Sequence, residues 1–313
     1  MMLWILGGIV VLGAIAAFAL LSSISNNGPR LLSAIDRVAG GAQDVRHRAT
    51  IAYGDHPAQK LAIWGPDRFD PASTPAPVLL FVHGGGWRNG DPLGYGFIAR
   101  AFVPRGFVVI SAGYRLGEEG RYPLMLEDTA RAIAAAREAA AEHGGDPDRI
   151  TLAGHSAGAY NVVMAALEPR WLAAHGLNPA DLAGVVGLAG PYDFAPFDTD
   201  STLAAFGHVA DADATQPIAH VRADAPPILL LHGERDTLVR LRNTRILAER
   251  IAAAGGRVTA HVYPQMDHND PIIALAAPWR SRRDVATRIA EFARSAGGET
   301  RASGAISVPV QAR

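Results

Sequence analysis

The residues best suited to chemistry lie at positions 154–158, Gly-His-Ser-Ala-Gly. The aliphatic run 150–153 before them predicts a strand, and the Ala-rich run 159–167 after them predicts a helix. A serine at such a sharp turn sits in strained backbone, and flanking glycines let the turn close and leave the hydroxyl free. The motif and its strand-turn-helix context therefore predict that Ser156 is a nucleophile.

A serine hydroxyl is a weak nucleophile at neutral pH, so it needs a general base, and the base needs an acid that orients it. After a nucleophile in this kind of turn, the acid and then the histidine follow along the chain. Asp236 lies just beyond an apolar run, and His268 lies just beyond the last predicted strand. These two residues are the predicted acid and base, with Glu234 and Asp193 as alternatives for the acid.

A second motif, His-Gly-Gly-Gly-Trp at positions 83–87, directly follows a predicted strand. Acyl transfer builds negative charge on a carbonyl oxygen, and glycine N–H groups can approach that oxygen without a Cβ in the way. The predicted donors of this oxyanion hole are the N–H groups of Gly85, Gly86 and Ala157. Trp87 is predicted to form a wall of the substrate pocket.

The histidines within these motifs have a different expected role. His83 is predicted to be structural and to hydrogen-bond to loop backbone. His155 and His232 are predicted to pack against the sheet and to take no part in proton transfer.

Composition excludes several other classes of function. The 313 residues include no cysteine, which removes disulfides, thiolate metal sites and cysteine nucleophiles. The net charge of -1 offers no field that would attract nucleic acid. The eleven histidines include no pair at H-x-x-x-H spacing beside a carboxylate, so no metal is predicted. We expect a small-molecule partner and no cofactor.

The first 21 residues carry no charged side chain and form one apolar run. About twenty helical residues, at about 1.5 Å each, span about 30 Å, the thickness of the hydrocarbon core of a bilayer. Segment 1–22 is therefore predicted to be a membrane anchor, with the side of the membrane left open. The alternative is a cleaved signal segment and a secreted or periplasmic protein.

Residues 45–296 are predicted to form one α/β domain, between a linker at 23–44 and a disordered tail at 297–313. In this domain short aliphatic runs alternate with Ala-rich helical stretches, the pattern of a mostly parallel sheet. Helices are predicted at 127–143 and 242–254 and in a last helix that carries Val285, Ile289 and Phe292. Strands are predicted at 47–53, 61–64, 78–82, 107–111, 150–153, 185–188, 228–231 and 258–263. The stretch 190–225 shows no periodicity and is predicted to be a loop or small lid.

Together these motifs resemble the α/β-hydrolase superfamily over residues 45–295. Within it, they are similar to a carboxylesterase group that includes feruloyl-esterase-like (BD-FAE) and kynurenine-formamidase-like enzymes. The similar motifs are HGGGW at 83–87, Tyr-Arg-Leu at 114–116, GHSAG at 154–158 and HGERDTLV at 232–239. Residues 117–120 read Gly-Glu-Glu-Gly, where hormone-sensitive-lipase-like relatives continue with Ala-Pro-Glu, which counts against a close lipase assignment.

The resemblance implies an eight-stranded, mostly parallel sheet with helices on both faces, and hydrolysis through an acyl-enzyme without a cofactor. Ser156, Asp236 and His268 fall on the triad positions of the family. The expected activity is that of a carboxylesterase, with an arylformamidase or amidase as the alternative. A non-catalytic, membrane-anchored binding protein is a third hypothesis because fold alone does not fix function, but such a protein has no reason to keep every catalytic element.

Overall fold

The computed structural model describes residues 28–68 and 73–299, which contain an eight-stranded sheet in the order β1-β2-β4-β3-β5-β6-β7-β8. The strands are β1 (Val45–Ala52), β2 (Lys60–Pro66), β3 (Ala76–Val82), β4 (Val108–Ala112), β5 (Gly145–His155), β6 (Gly184–Leu188), β7 (Ile228–Gly233) and β8 (Val258–Tyr263). The α-helices in these ranges are α1 (28–38), α2 (Gly96–Phe102), α3 (Leu124–Ala140), α4 (Ala157–Leu167), α5 (Arg170–Ala173), α6 (Asp200–Phe206), α7 (Arg242–Ala253), α8 (Asp270–Ile273) and α9 (Val285–Glu299). Short 3-10 helices lie at Pro92–Tyr95, Val103–Arg105, Gly117–Gly120, Ala141–His143, Pro179–Asp181, Asp213–Thr215, Pro217–His220 and Trp279–Ser281.

Strands β3 to β8 run parallel to one another, and β2 pairs antiparallel with both β1 and β4. The inner strands are covered on both faces, and every residue of β4 and β6 is buried. Burial on both faces explains why these strands appear in the sequence as continuous apolar runs. The predicted mostly parallel, eight-stranded sheet is confirmed.

Helices pack on both faces of the sheet, and β3 shows how the two cores are divided. Val78, Leu80 and Val82 face a core that is closed by α3, α4, α5 and α7. Leu79 and Phe81 face the opposite core, which is closed by α2, α8 and α9. Helix α4 lies deepest, with all of its residues buried. Because the carboxyl ends of the parallel strands meet at one edge, residues that follow β3, β5, β7 and β8 are brought together there.

The stretch 23–44 was expected to be a linker, but from residue 28 it forms helix α1, which packs on the domain. Asp36 is fully buried and forms ion pairs with Arg100 of α2 and Arg280 near the carboxyl end of the chain. Its carboxylate also accepts a 2.7 Å hydrogen bond from the backbone N–H of Ala277. The sequence did not reveal this contact because its partners lie 64 and 244 residues away.

The membrane-anchored localisation expected from the sequence is corrected. Among the helices in residues 28–68 and 73–299, none is long and apolar enough to cross a bilayer. Segment 1–22, on which that expectation rested, lies outside the described residues.

Two further segments differ in detail from what the sequence predicted. Helix α9 continues to Glu299, beyond the predicted boundary at 296, and the rest of the expected tail lies outside the described residues. Segment 190–225, which was expected to be a loop or small lid, contains helix α6 and two 3-10 helices, and its other residues form turns and irregular structure. Phe206 at the end of α6 is fully buried, which fixes this segment against the domain.

Replacing Asp36 with Ala is expected to destabilise the protein strongly, because it leaves the side chains of Arg100 and Arg280 without their buried counter-charge. Removing one partner from a buried charge cluster typically costs about 3–5 kcal/mol. Urea unfolding followed by circular dichroism measures this change. Asp67→Ala is the matched control, because Asp67 forms a half-exposed pair with Arg46 and its loss is expected to cost less than about 1 kcal/mol. Equal destabilisation by the two substitutions would contradict the anchoring role of Asp36.

Candidate active site

Ser156 lies at the turn between β5 and α4, with φ 54° and ψ -120°. Positive φ is unfavourable for a residue with a side chain, so the surrounding structure must hold this turn in place. The two flanking glycines allow it. A Cβ at Gly154 would lie 2.3 Å from the carbonyl oxygen of Gly158, and one at Gly158 would lie 2.1 Å from that of Val82. The predicted glycine requirement of this motif therefore has a direct steric cause.

The structure brings the three predicted triad residues into one hydrogen-bonded line. His268 Nε2 lies 3.0 Å from Ser156 Oγ, and His268 Nδ1 lies 2.8 Å from Asp236 Oδ2. A carboxylate can only accept, so Nδ1 carries the proton in this arrangement and Nε2 is left free to accept from the serine hydroxyl. Asp236 follows β7 and His268 follows β8, the neighbouring strand.

The carboxylate of Asp236 is buried but well supplied with donors. Its Oδ1 accepts hydrogen bonds from the backbone N–H groups of Leu238, at 2.9 Å, and Val239, at 2.8 Å. Its Oδ2 lies 3.1 Å from His232 Nε2, in addition to the contact with His268. Burial alone would raise the pKa of Asp236, but these hydrogen bonds outweigh it and hold the pKa well below its usual value. The carboxylate is therefore ionised at neutral pH.

The two alternative acids, Glu234 and Asp193, lie in other surroundings. Glu234 is exposed to solvent. Asp193 faces helix α7, where its Oδ2 lies 3.8 Å from the guanidinium of Arg242. The carboxylate in hydrogen-bonding distance of His268 Nδ1 is that of Asp236.

Two buried histidines that were expected only to pack against the sheet also contact the predicted triad residues. His155 Nε2 lies 2.9 Å from the backbone oxygen of His268. His232 lies against Asp236, and its Nδ1 is 2.8 Å from Thr244 Oγ1. Sequence reasoning missed these contacts, although His155 is adjacent to Ser156 and His232 lies four residues before Asp236, which could have suggested them.

The glycine loop after β3 passes directly beside the serine. A Cβ at Gly84 would lie only 3.2 Å from the Cβ of Ser156. Gly85 and Gly86 have φ values of 115° and 60°, and Gly85 is exposed to solvent. Ala157 is the first residue of α4, so its N–H has no acceptor within its own helix. The three predicted donor residues thus belong to the two segments that meet at Ser156.

His83 supports this loop from beneath, as expected from the sequence. Its Nδ1 lies 2.8 Å from the backbone oxygen of Gly84, and its ring stacks between those of Tyr95 and Tyr114. Burial lowers the pKa of His83 to about 4, so the ring is neutral at ordinary pH. A Cβ at Gly90 would lie 2.1 Å from this ring, which explains the glycine at that position.

Trp87 is buried in an aromatic cluster next to the glycine loop. Its Nε1 donates a 3.1 Å hydrogen bond to Asn161 Oδ1, which fixes the indole ring. The ring meets Tyr160 and Phe206 edge to face and lies 6.1 Å, centroid to centroid, from Phe194. The predicted role of Trp87 in the substrate pocket stays a prediction.

Among the residues in 28–68 and 73–299, no three His, Asp or Glu side chains are grouped so that they could hold a metal ion. The geometry of the site is that of a hydrogen-bonded serine, histidine and aspartate beside a turn of glycine N–H groups.

Comparison with known proteins identifies a matching family and related proteins. The sequence model of the BD-FAE family matches residues 67–251. Over 66% of its own length, this chain is 34% identical to esterase LipC of Mycobacterium tuberculosis. Over 77% of its own length, it is 32% identical to esterase LipQ of the same organism. It spans only 55% and 61% of the lengths of those two proteins.

Solved structures agree on the fold. Esterase B from Lactobacillus rhamnosis matches with a TM-score of 0.73 at 19% identity, covering 92% of this chain and 95% of that one. A truncated carbohydrate esterase from gut microbiota matches with a TM-score of 0.69 at 20% identity, covering 83% of this chain and 99% of that one. These similarities confirm the predicted α/β-hydrolase fold. The kynurenine-formamidase-like part of the resemblance stays a prediction, whereas the matched span of more than half the chain shows that this protein belongs to the BD-FAE family.

Proposed function

We propose that this protein is a carboxylesterase that hydrolyses a carboxylic ester through an acyl-enzyme intermediate. The observation that carries the proposal is the pair of hydrogen bonds made by the imidazole of His268. Its Nδ1 lies 2.8 Å from Asp236 Oδ2, and its Nε2 lies 3.0 Å from Ser156 Oγ. Two of its relatives, LipC and LipQ, bear the name esterase, which supports the same activity here.

In the first half of the reaction, Ser156 Oγ attacks the ester carbonyl carbon while His268 Nε2 takes the hydroxyl proton. The ionised Asp236 keeps the proton on Nδ1 and stabilises the imidazolium that forms. The C–O bond to the alcohol then breaks, and His268 returns its proton to the alcohol oxygen. The acyl group is left on Ser156.

In the second half, water attacks the acyl carbon and His268 takes its proton. The bond to Ser156 Oγ breaks, and the proton goes back to the serine oxygen. One water is consumed for each acid and alcohol released.

The negative charge that develops on the carbonyl oxygen needs donors that are already in place. The N–H groups of Gly85, Gly86 and Ala157 are the proposed donors. Support comes from the close approach of the glycine loop to Ser156, where a Cβ at Gly84 would lie 3.2 Å from the serine Cβ. Loss of one such donor in another hydrolase costs about 10²–10³-fold in kcat.

Ser156→Ala is expected to lower kcat for p-nitrophenyl acetate by about 10⁴-fold or more, because the nucleophile is removed. The same substitution should abolish labelling by a fluorophosphonate probe. Ser295→Ala, on the exposed part of α9, is the matched control and should leave turnover and labelling unchanged. Undiminished hydrolysis by the Ser156→Ala variant would reject the proposed function.

Asp236→Asn is expected to lower kcat/KM by about 10⁴-fold, because the amide favours the wrong tautomer of His268. The pKa of Asp236 is held well below its usual value, so the carboxylate is ionised throughout pH 5–9 and a large loss should be seen at every pH in that range. Initial rates across this range test the expectation. Near-normal rates for the variant, or a loss that vanishes at pH 5, would contradict the role of the ionised carboxylate. Glu234→Gln, at the exposed alternative acid, serves as the control and should keep normal rates.

A further inference from the structure

His155, the residue before the serine, makes a contact that the triad chemistry alone does not require. Its side chain is buried, and its Nε2 lies 2.9 Å from the backbone oxygen of His268, 113 residues further along the chain. The two imidazole rings lie 5.0 Å apart, centroid to centroid, at an angle of 44°. The side chain of His155 therefore connects β5 directly to the segment that carries His268.

The chemistry of this contact fixes the protonation of His155. A carbonyl oxygen can only accept, so Nε2 must carry the proton and donate it. Burial lowers the pKa of His155 to about 3, with a smaller contribution from the neighbouring His268. The ring is therefore neutral at working pH and carries its single proton on Nε2. A neutral ring also places no positive charge beside the imidazolium that forms on His268 during catalysis.

Other bonds also hold the segment around His268, including the bond from its Nδ1 to Asp236 after β7. Asp267 and Asp270 hold its turn through local bonds, in which Asp267 Oδ1 accepts from Asn269 N–H at 2.8 Å and Asp270 Oδ2 accepts from Asp267 N–H at 2.9 Å. The backbone N–H of Arg235 donates a 3.0 Å bond to Met266, which connects the segment to the end of β7. The hydrogen bond from His155 joins the backbone of His268 to β5, the strand that ends beside the nucleophile.

The backbone of His155 contacts the third part of the site. A Cβ at Gly84 would lie 2.6 Å from the carbonyl oxygen of His155, so the glycine loop rests against this residue. His155 thus touches the turn of the serine, the segment of the base and the glycine loop.

We propose that His155 is a positioning residue, whose neutral Nε2–H holds the backbone of His268 at the distance from Ser156 that proton transfer requires. The role rests on the proposed esterase function. A displacement of about 1 Å at a reacting group can cost about 10²-fold in rate. Loss of the donor should therefore reduce kcat while substrate binding is retained.

Three substitutions at His155 separate the hydrogen bond from packing. Glutamine places an amide nitrogen where Nε2 lies, asparagine carries the same group one methylene short, and leucine fills the space without a donor. With p-nitrophenyl acetate, His155→Gln is expected to keep kcat within about threefold of wild type. His155→Asn and His155→Leu are expected to lose about 10- to 100-fold in kcat, with KM changed by less than about threefold.

Thermal unfolding of all variants separates positioning from a merely structural role. If His155 is a positioning residue, kcat should stay high only in variants with a donor within reach of the His268 backbone oxygen. The values of kcat should not correlate with those of Tm. Wild-type kcat in His155→Leu, or a loss in His155→Gln as large as in His155→Leu, would overturn the proposal. A wild-type protein without Ser156-dependent ester turnover would instead reject the proposed function, and the positioning role with it.

A measurement on the unmodified protein tests the contact even if a variant fails to fold. Long-range ¹H–¹⁵N NMR of histidine side chains reports which ring nitrogen carries the proton. The expected result is that His155 stays in the neutral Nε2–H form from pH 5 to pH 9. A neutral Nδ1–H form would overturn the proposal, because Nε2 would then have no proton to donate.

Discussion

The site depends on one buried negative charge, the carboxylate of Asp236. A charge taken out of water is tolerated only when donors replace the lost hydration, and here two backbone N–H groups, His232 and His268 surround it. That requirement decides the tautomer of His268, and the tautomer decides that Nε2 faces the serine. The ends of β7 and β8 supply these groups from neighbouring strands, so the arrangement of the site follows from the pairing of the sheet.

The sequence alone was sufficient to predict the sheet and the residues that lie at its edge. Parallel strands buried on both faces leave continuous apolar runs, and the residues after β5, β7 and β8 could be assigned to one edge without knowing any distance. The orientation of side chains could not be predicted in the same way. His155 and His232 were expected to pack against the sheet, but His155 also hydrogen-bonds to the backbone oxygen of His268, and His232 Nε2 lies 3.1 Å from Asp236 Oδ2. A pattern of apolar and polar residues does not indicate which polar atom a buried ring meets.

The helical content of two segments was underestimated for a related reason. Helix α1 is attached through Asp36, whose partners are distant in the chain. In segment 190–225, the rings of Phe194, Phe197 and Phe206 contact one another from a short helix and a loop, and those of Phe194 and Phe206 also contact Trp87. Side chains that meet from different elements show no repeat in sequence.

The neutral, buried histidines around the site couple proton uptake to unfolding. In the folded chain, burial lowers the pKa of His83 to about 4 and that of His155 to about 3, whereas both return to an ordinary pKa of 6.5 once exposed. Below pH 6.5 these two histidines therefore take up protons in the unfolded chain, whereas in the folded chain they remain neutral. Each of these rings removes about 1.4 kcal/mol of stability per pH unit as the solution is acidified towards its folded pKa. The two loops that these rings support are thus a source of acid lability in the molecule.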